Sequence, residues 1–148
     1  MSPLGAGTIT GLAREGTMLY SMDSNRTVRA VDISGFTMAA RGSLTLPQGG
    51  GKLFVSNGIA YAPAIASYFR GGYATANVSN PDTITLISGS DVVSPFVGPG
   101  TAIADNGSGI GVLVGSDGAH VLDLMDISNP ANTNVFLTRV TLDRKSVV

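Results

Sequence analysis

A single histidine, His120, and no cysteine set the limits of the chemistry this chain can do. Without cysteine there are no thiol nucleophiles, disulfides or Cys-ligated zinc or iron, and one histidine cannot form a two-His metal site. A Ser–His–Asp triad would have to use His120. That residue opens a strand-like run after the turn Asp117-Gly118-Ala119, and no Gly-x-Ser-x-Gly elbow accompanies it. It therefore reads as structural or solvated. Asp105-Asn106-Gly107-Ser108-Gly109 and Ser116-Asp117-Gly118 look like pieces of a calcium loop, but neither continues to the required Glu at its twelfth position. Both read as turns. Gly49-Gly50-Gly51-Lys52 lacks the Ser or Thr after Lys that a phosphate loop needs, and a strand rather than a helix follows. No catalytic residue, metal ligand or cofactor site emerges.

The best binding candidate is the insertion Ala66–Tyr73. It carries Tyr68, Phe69, Arg70 and Tyr73 between two apolar runs. Exposed aromatics beside an arginine are typical hot-spot material, and loops on rigid scaffolds often carry function. The competing reading packs Tyr68 and Phe69 between neighbouring sheets.

The elements that would hold such a loop recur along the chain. The stretches AVDISGF, TANVSNP and LDLMDISNP each place an Asx residue after an apolar run, at Asp32, Asn77 and Asp126. The spacings are 77 − 32 = 45 and 126 − 77 = 49 residues, close to the period of a propeller blade. Each unit splits into four short runs rich in β-branched residues, over Ile9–Leu46, Lys52–Ser88 and Thr101–Leu142. Glu15-Gly16, Asn57-Gly58 and Asn106-Gly107 separate the first and second runs, and such pairs tolerate positive φ. Asp32, Asn77 and Asp126 are assigned as turn formers. Each side chain should accept a bond from the N–H two residues on, while Pro81 and Pro130 stop the ladder.

The fold class is therefore all-β: part of a β-propeller, with about three four-stranded antiparallel blades in an open arc. The first run of each unit should be innermost and the fourth outermost. The end blades should each show an open apolar face, drawn from runs such as Thr17–Asp23 and Ile110–Ser116. The chain alone should then be oligomeric or poorly soluble.

Composition agrees with a packed domain. Hydrophobic residues make up 43% and charged residues 13% of 148, with net charge −1. Lys and Arg are scattered singly, so no basic stripe exists to bind nucleic acid. No apolar run reaches the roughly 20 residues of a membrane span.

Val28–Asp32 and Leu122–Asp126, each followed by Ile-Ser, resemble the LVIVD repeat of bacterial and archaeal β-propellers. The Ser-Asn-Pro of the second and third units is similar to that repeat's Ser-x-Pro. Tyr73–Asn77 keeps only the pattern, and Gly35-Phe36 replaces Asn-Pro in the first unit. The resemblance implies an exported or cell-surface scaffold that binds protein or glycan without catalysis. Its partners would include the remaining blades of a longer parent chain. The alternative is a piece of a propeller-fold lyase, hydrolase or quinone-dependent dehydrogenase with its site in other blades. Residues 143–148 break the pattern and are expected to be a non-native tail.

Overall fold

The computed structural model describes residues 7–63, 73–89, 100–115, 121–133 and 135–142. Among the described residues there are twelve strands and no helix. Sheet one holds β1 (Ile9–Glu15), β2 (Met18–Asp23), β3 (Thr27–Asp32) and β4 (Ala39–Thr45). Sheet two holds β5 (Phe54–Ser56), β6 (Ile59–Pro63), β7 (Tyr73–Asn77) and β8 (Thr85–Ser88). Sheet three holds β9 (Gly100–Asp105), β10 (Ile110–Gly115), β11 (Val121–Asp126) and β12 (Phe136–Thr141). Every sheet is an antiparallel meander in chain order. The sheets do not close on one another, so the arrangement is an arc of propeller-like blades. The first strands approach across the sheet boundaries, β1 against β5 and β5 against β9. The fourth strands lie at the opposite edges, and β4 and β12 are mostly exposed.

The three sheets share one register. Met18 faces Asp32, Ile59 faces Asn77 and Ile110 faces Asp126. The fourth strand of each sheet carries a bulge opposite the third, and the extra residues are Arg41, Ile87 and Leu137. A bulge conserved in place deepens the local twist and bends each outer edge alike. Positions can therefore be equated from sheet to sheet.

Period-two alternation gives each sheet two faces. The leading face of sheet one, with Tyr20, Met22, Val28 and Ala30, packs on the trailing face of sheet two, with Ala60, Ala62, Ala74 and Ala76. The leading face of sheet two, with Phe54, Tyr61 and Tyr73, packs on the trailing face of sheet three, with Ile103, Leu113 and Met125. Large side chains meet small ones at the first boundary. Small partners let the sheets approach closely, and dense packing adds to the stability from buried apolar area. At Gly42 a Cβ would stand 2.7 Å from the carbonyl oxygens of Pro81 and Asp82. Only glycine allows that approach, and its N–H donates to the Pro81 carbonyl at 2.7 Å.

Two expectations need correction. The fourth runs, which the sequence pattern extends over Thr83–Ser88 and Asn134–Leu142, form strands from Thr85 and Phe136; Asn134 lies outside the described residues. Asn80 and Asn129 each accept a bond from the N–H two residues on, and Thr83 N–H and Asn132 N–H close turns onto their carbonyls. The first of those turns takes up Thr83. The run Thr17–Asp23 also does not form an open apolar face, because Tyr20 and Met22 are buried against sheet two. The exposed large apolar residues in and beside sheet one are Ile9, Leu12, Phe36 and Met38.

Candidate functional site

The Asx positions are turn formers, bonded as their spacing predicts. Ser34 N–H donates to Asp32 Oδ1 at 2.8 Å, Ser79 N–H to Asn77 Oδ1 at 3.0 Å and Ser128 N–H to Asp126 Oδ1 at 2.9 Å. The Ser79 and Ser128 hydroxyls donate to the same oxygens, both at 2.6 Å. The residue between Asx and Ser ties the motif to the first hairpin of its sheet. Ile33, Val78 and Ile127 N–H donate to the carbonyls of Thr17, Gly58 and Gly109. Bonds from Ser34 and Ser128, side chain first and backbone second, hold the Asp32 and Asp126 carboxyls below the usual carboxylate range. Pro81 and Pro130 sit just after these turns. Their carbonyls accept bonds across the sheet boundaries, from Gly42 N–H and from the Thr75 hydroxyl.

The oxygen-rich stretch at Asp105 is bound up in the same way. Gly107 N–H donates to Asp105 Oδ1 at 2.6 Å, and Ser108 donates through N–H and hydroxyl to Asn106 Oδ1. These oxygens serve the turn. Lys52 and the glycines before it lead into β5, as the sequence requires.

Tyr68, Phe69 and Arg70 lie outside the described residues, as do His120 and Ser116-Asp117-Gly118. Tyr73 is described, and its ring is buried. It stacks tilted on Tyr61 at a centroid distance of 6.2 Å, and Tyr61 stands at 6.2 Å from Phe54. The three rings line the boundary of sheets two and three. Burial raises the Tyr73 phenol far above its ordinary value, with Tyr61 and Asp126 adding to the shift. The phenol is thus neutral at any physiological pH, and its buried hydroxyl has no hydrogen-bond partner among the described residues. Tyr20, which by register matches Tyr61 of sheet two, also has its phenol raised by burial and then by Glu15, but it donates to the Val78 carbonyl at 3.1 Å.

Sequence reasoning missed two buried ion pairs. Asp123 is fully buried and accepts two bonds from Arg139, at 2.6 and 2.9 Å. Asp23 is equally buried and takes Arg29 at 2.6 Å, with Asn25 and Thr27 N–H each at 2.9 Å. Burial works to raise the Asp23 carboxyl, but Thr27 N–H, the Arg29 guanidinium and Asn25 N–H outweigh it and the net shift is down. A signal was present for Asp123. In the run Val121–Asp126, alternation places Asp123 on the face of Met125, and that face is buried. Among the described residues no three His, Cys, Asp or Glu gather as a metal site would require.

Comparison with solved structures finds the same fold in two computationally designed proteins. The crystal structure of Ika4 matches with a TM-score of 0.57 and 17% identity, over 93% of this chain and 75% of that one. Ika8 matches with a TM-score of 0.57 and 16% identity, over 89% of this chain and 36% of that one. Identity this low shows a shared fold and nothing about activity. No protein-family model matches the chain, and no curated protein does.

Proposed function

We propose that the chain is a non-enzymatic propeller-like scaffold, exported or displayed at a cell surface, that binds protein or carbohydrate. One observation carries this reading: among the described residues, the acidic groups are engaged in holding the sheets together. Asp23 and Asp123 take arginines, Arg41 takes Asp82 and Asp32, Asp105 and Asp126 close turns, and Glu15 reaches the Gly58 N–H. A carboxylate committed to protein donors in this way is not poised to exchange a proton with a substrate. The resemblance of the Asx motifs to the LVIVD repeat supports the exported setting. No helix among the described residues is long and apolar enough to cross a membrane.

Binding falls to the connection from β6 to β7 in the middle sheet, to which Tyr68, Phe69 and Arg70 belong in sequence. A glycan array and a panel of surface-protein fragments, probed with labelled chain, test the reading. Saturable binding that weakens on Tyr68→Ala with Phe69→Ala, with the ligand recovered unchanged, is the expected result. Chemical conversion of a bound ligand would overturn it in favour of an enzyme.

A further inference from the structure

The chain holds two Asn-Gly pairs, Asn57-Gly58 and Asn106-Gly107. Asparagine is a thermolabile residue, and a following glycine puts no side chain between its carboxamide and the next peptide nitrogen. Once that nitrogen gives its proton to hydroxide, it can attack Cγ. The N–Cγ bond forms, the Cγ–Nδ2 bond breaks, and ammonia leaves. Water then opens the five-membered imide on one side or the other. The product is aspartate or, with the chain rerouted through Cβ and Cγ, isoaspartate. A folded pair reacts only if its carboxamide can turn, its peptide N–H can ionise and its backbone can bring the two together.

The two pairs meet these conditions differently. Asn106 Oδ1 accepts from Ser108 N–H at 2.9 Å, the Ser108 hydroxyl at 2.8 Å and Ile110 N–H at 3.3 Å. Those bonds pin the carboxamide inside its own turn, and Gly107 N–H is engaged by Asp105 at 2.6 Å. Asn57 is exposed, and its carboxamide makes no hydrogen bond among the described residues. It has a φ of 52° and Gly58 a φ of 71°, the two-residue hairpin turn that Asn-Gly favours. One contact restrains the reactive nitrogen. Gly58 N–H donates to the Glu15 carboxylate, at 3.0 Å to Oε2 and 3.3 Å to Oε1. Glu15 lies in sheet one and Gly58 in sheet two. A carboxylate facing an N–H opposes its ionisation, as any like charge does, and the bond must break before the nitrogen can turn on Cγ.

We propose that Asn57 is the residue at which this chain deamidates, and that Glu15 sets the rate from across the sheet boundary. The product falls where there is little room for it. Gly58 is buried, a Cβ added to it would stand 2.9 Å from Ser79 Cβ, and its carbonyl holds Val78 N–H at 2.8 Å. Isoaspartate adds a carbon to the backbone of this turn, against the Ser56–Ile59 pairing that closes it, and either product sets a second carboxylate beside Glu15. The modification therefore works against the first boundary and acts as a slow clock on the fold. This goes beyond the proposed function and holds whatever the scaffold binds.

Peptide mapping of folded chain held at mildly alkaline pH tests it. Trypsin releases Leu53–Arg70 with Asn57 and Gly71–Arg139 with Asn106, and fragment ions place the amide-to-acid mass gain. The gain should appear at position 57 before position 106. Glu15→Ala should speed position 57 roughly tenfold, the worth of a bond to a charged group, and leave position 106 unchanged. In urea the two positions should react at similar rates, so the unchanged position 106 also shows that the variant is folded. Glu15→Gln keeps the shape and removes the charge, and it should speed position 57 by less. Position 106 reacting as fast as position 57 in the folded parent chain would overturn the proposal. So would a rate at position 57 that neither variant changes.

Discussion

Sheet two packs on both sides, yet its two faces solve the problem differently. Toward sheet one it presents four alanines, Ala60, Ala62, Ala74 and Ala76, and receives Tyr20 and Met22. Toward sheet three it presents Phe54, Tyr61 and Tyr73, and meets Leu113, Met125 and the Asp123–Arg139 pair. The first boundary matches size and satisfies its tyrosine. The second gains more ring area but buries a bare hydroxyl and a carboxylate that depends on one arginine. The first boundary is therefore optimised for packing, and the second carries the polar strain.

The largest effect should come from the arginines. Arg139→Met leaves Asp123 buried and unpaired, a loss of about 3 kcal/mol, at the low end for buried pairs because the guanidinium reaches solvent. Arg29→Met should cost less, since Asn25 and Thr27 N–H still hold Asp23. Urea midpoints of both variants check the order, and equal losses would erase the distinction. Asp23 also fixes a pH dependence. Its folded carboxyl titrates below its unfolded value, near 3.9. Its stabilising contribution is full above that value and is lost as pH falls through the lower folded one. Asp23→Asn should flatten the acid limb of the stability curve below about pH 4.

The tyrosines come next, with opposite signs. Tyr20→Phe removes a buried bond to the Val78 carbonyl and should cost about 1 kcal/mol. Tyr73→Phe removes a hydroxyl that has no partner and should gain up to about 1 kcal/mol. Thermal melts of the two variants, moving in opposite directions, would sharpen the contrast between the boundaries. A loss at Tyr73 would mean that its hydroxyl is paired and the second boundary is not strained.

The elements were legible because local chemistry dictates them. Alternation marks the strands, and Asp32, Asn77 and Asp126 mark their ends through bonds that span only two residues. The strand start at Thr85 was misjudged because Asn80 heads a second turn that reaches Thr83, at the front of a β-branched run. What the sequence hid is pairing at a distance. Arg139 lies 16 residues from Asp123 and becomes its partner only when β12 lines up with β11. Tyr73 looked like part of a binding loop because Gly71-Gly72 precedes it, but β7 begins there and alternation turns its ring inward. Which face of sheet one packs on sheet two depended on which way the blades follow one another, and no local pattern encodes that.

The smallest effect concerns the outer edge, where the first boundary does use charge. Arg41 grips Asp82 through two bonds, at 2.7 and 2.6 Å, and touches Asp32 at 3.3 Å. The geometry is that of a fork on a carboxylate, the strong form of such a pair. Both side chains nonetheless meet solvent, Arg41 at 35% and Asp82 at 56%. Water and salt screen the attraction, and the two long side chains pay entropy to hold one pose. Asp82→Ala should therefore lower the melting temperature only slightly at low ionic strength. Near 1 M salt, where the screening length falls to about 3 Å, the difference from the parent chain should vanish. The backbone bond from Gly42 to Pro81 lies at the same edge and does not depend on salt. A loss that persists undiminished in high salt would show that Asp82 acts by shaping its turn, with the arginine a bystander.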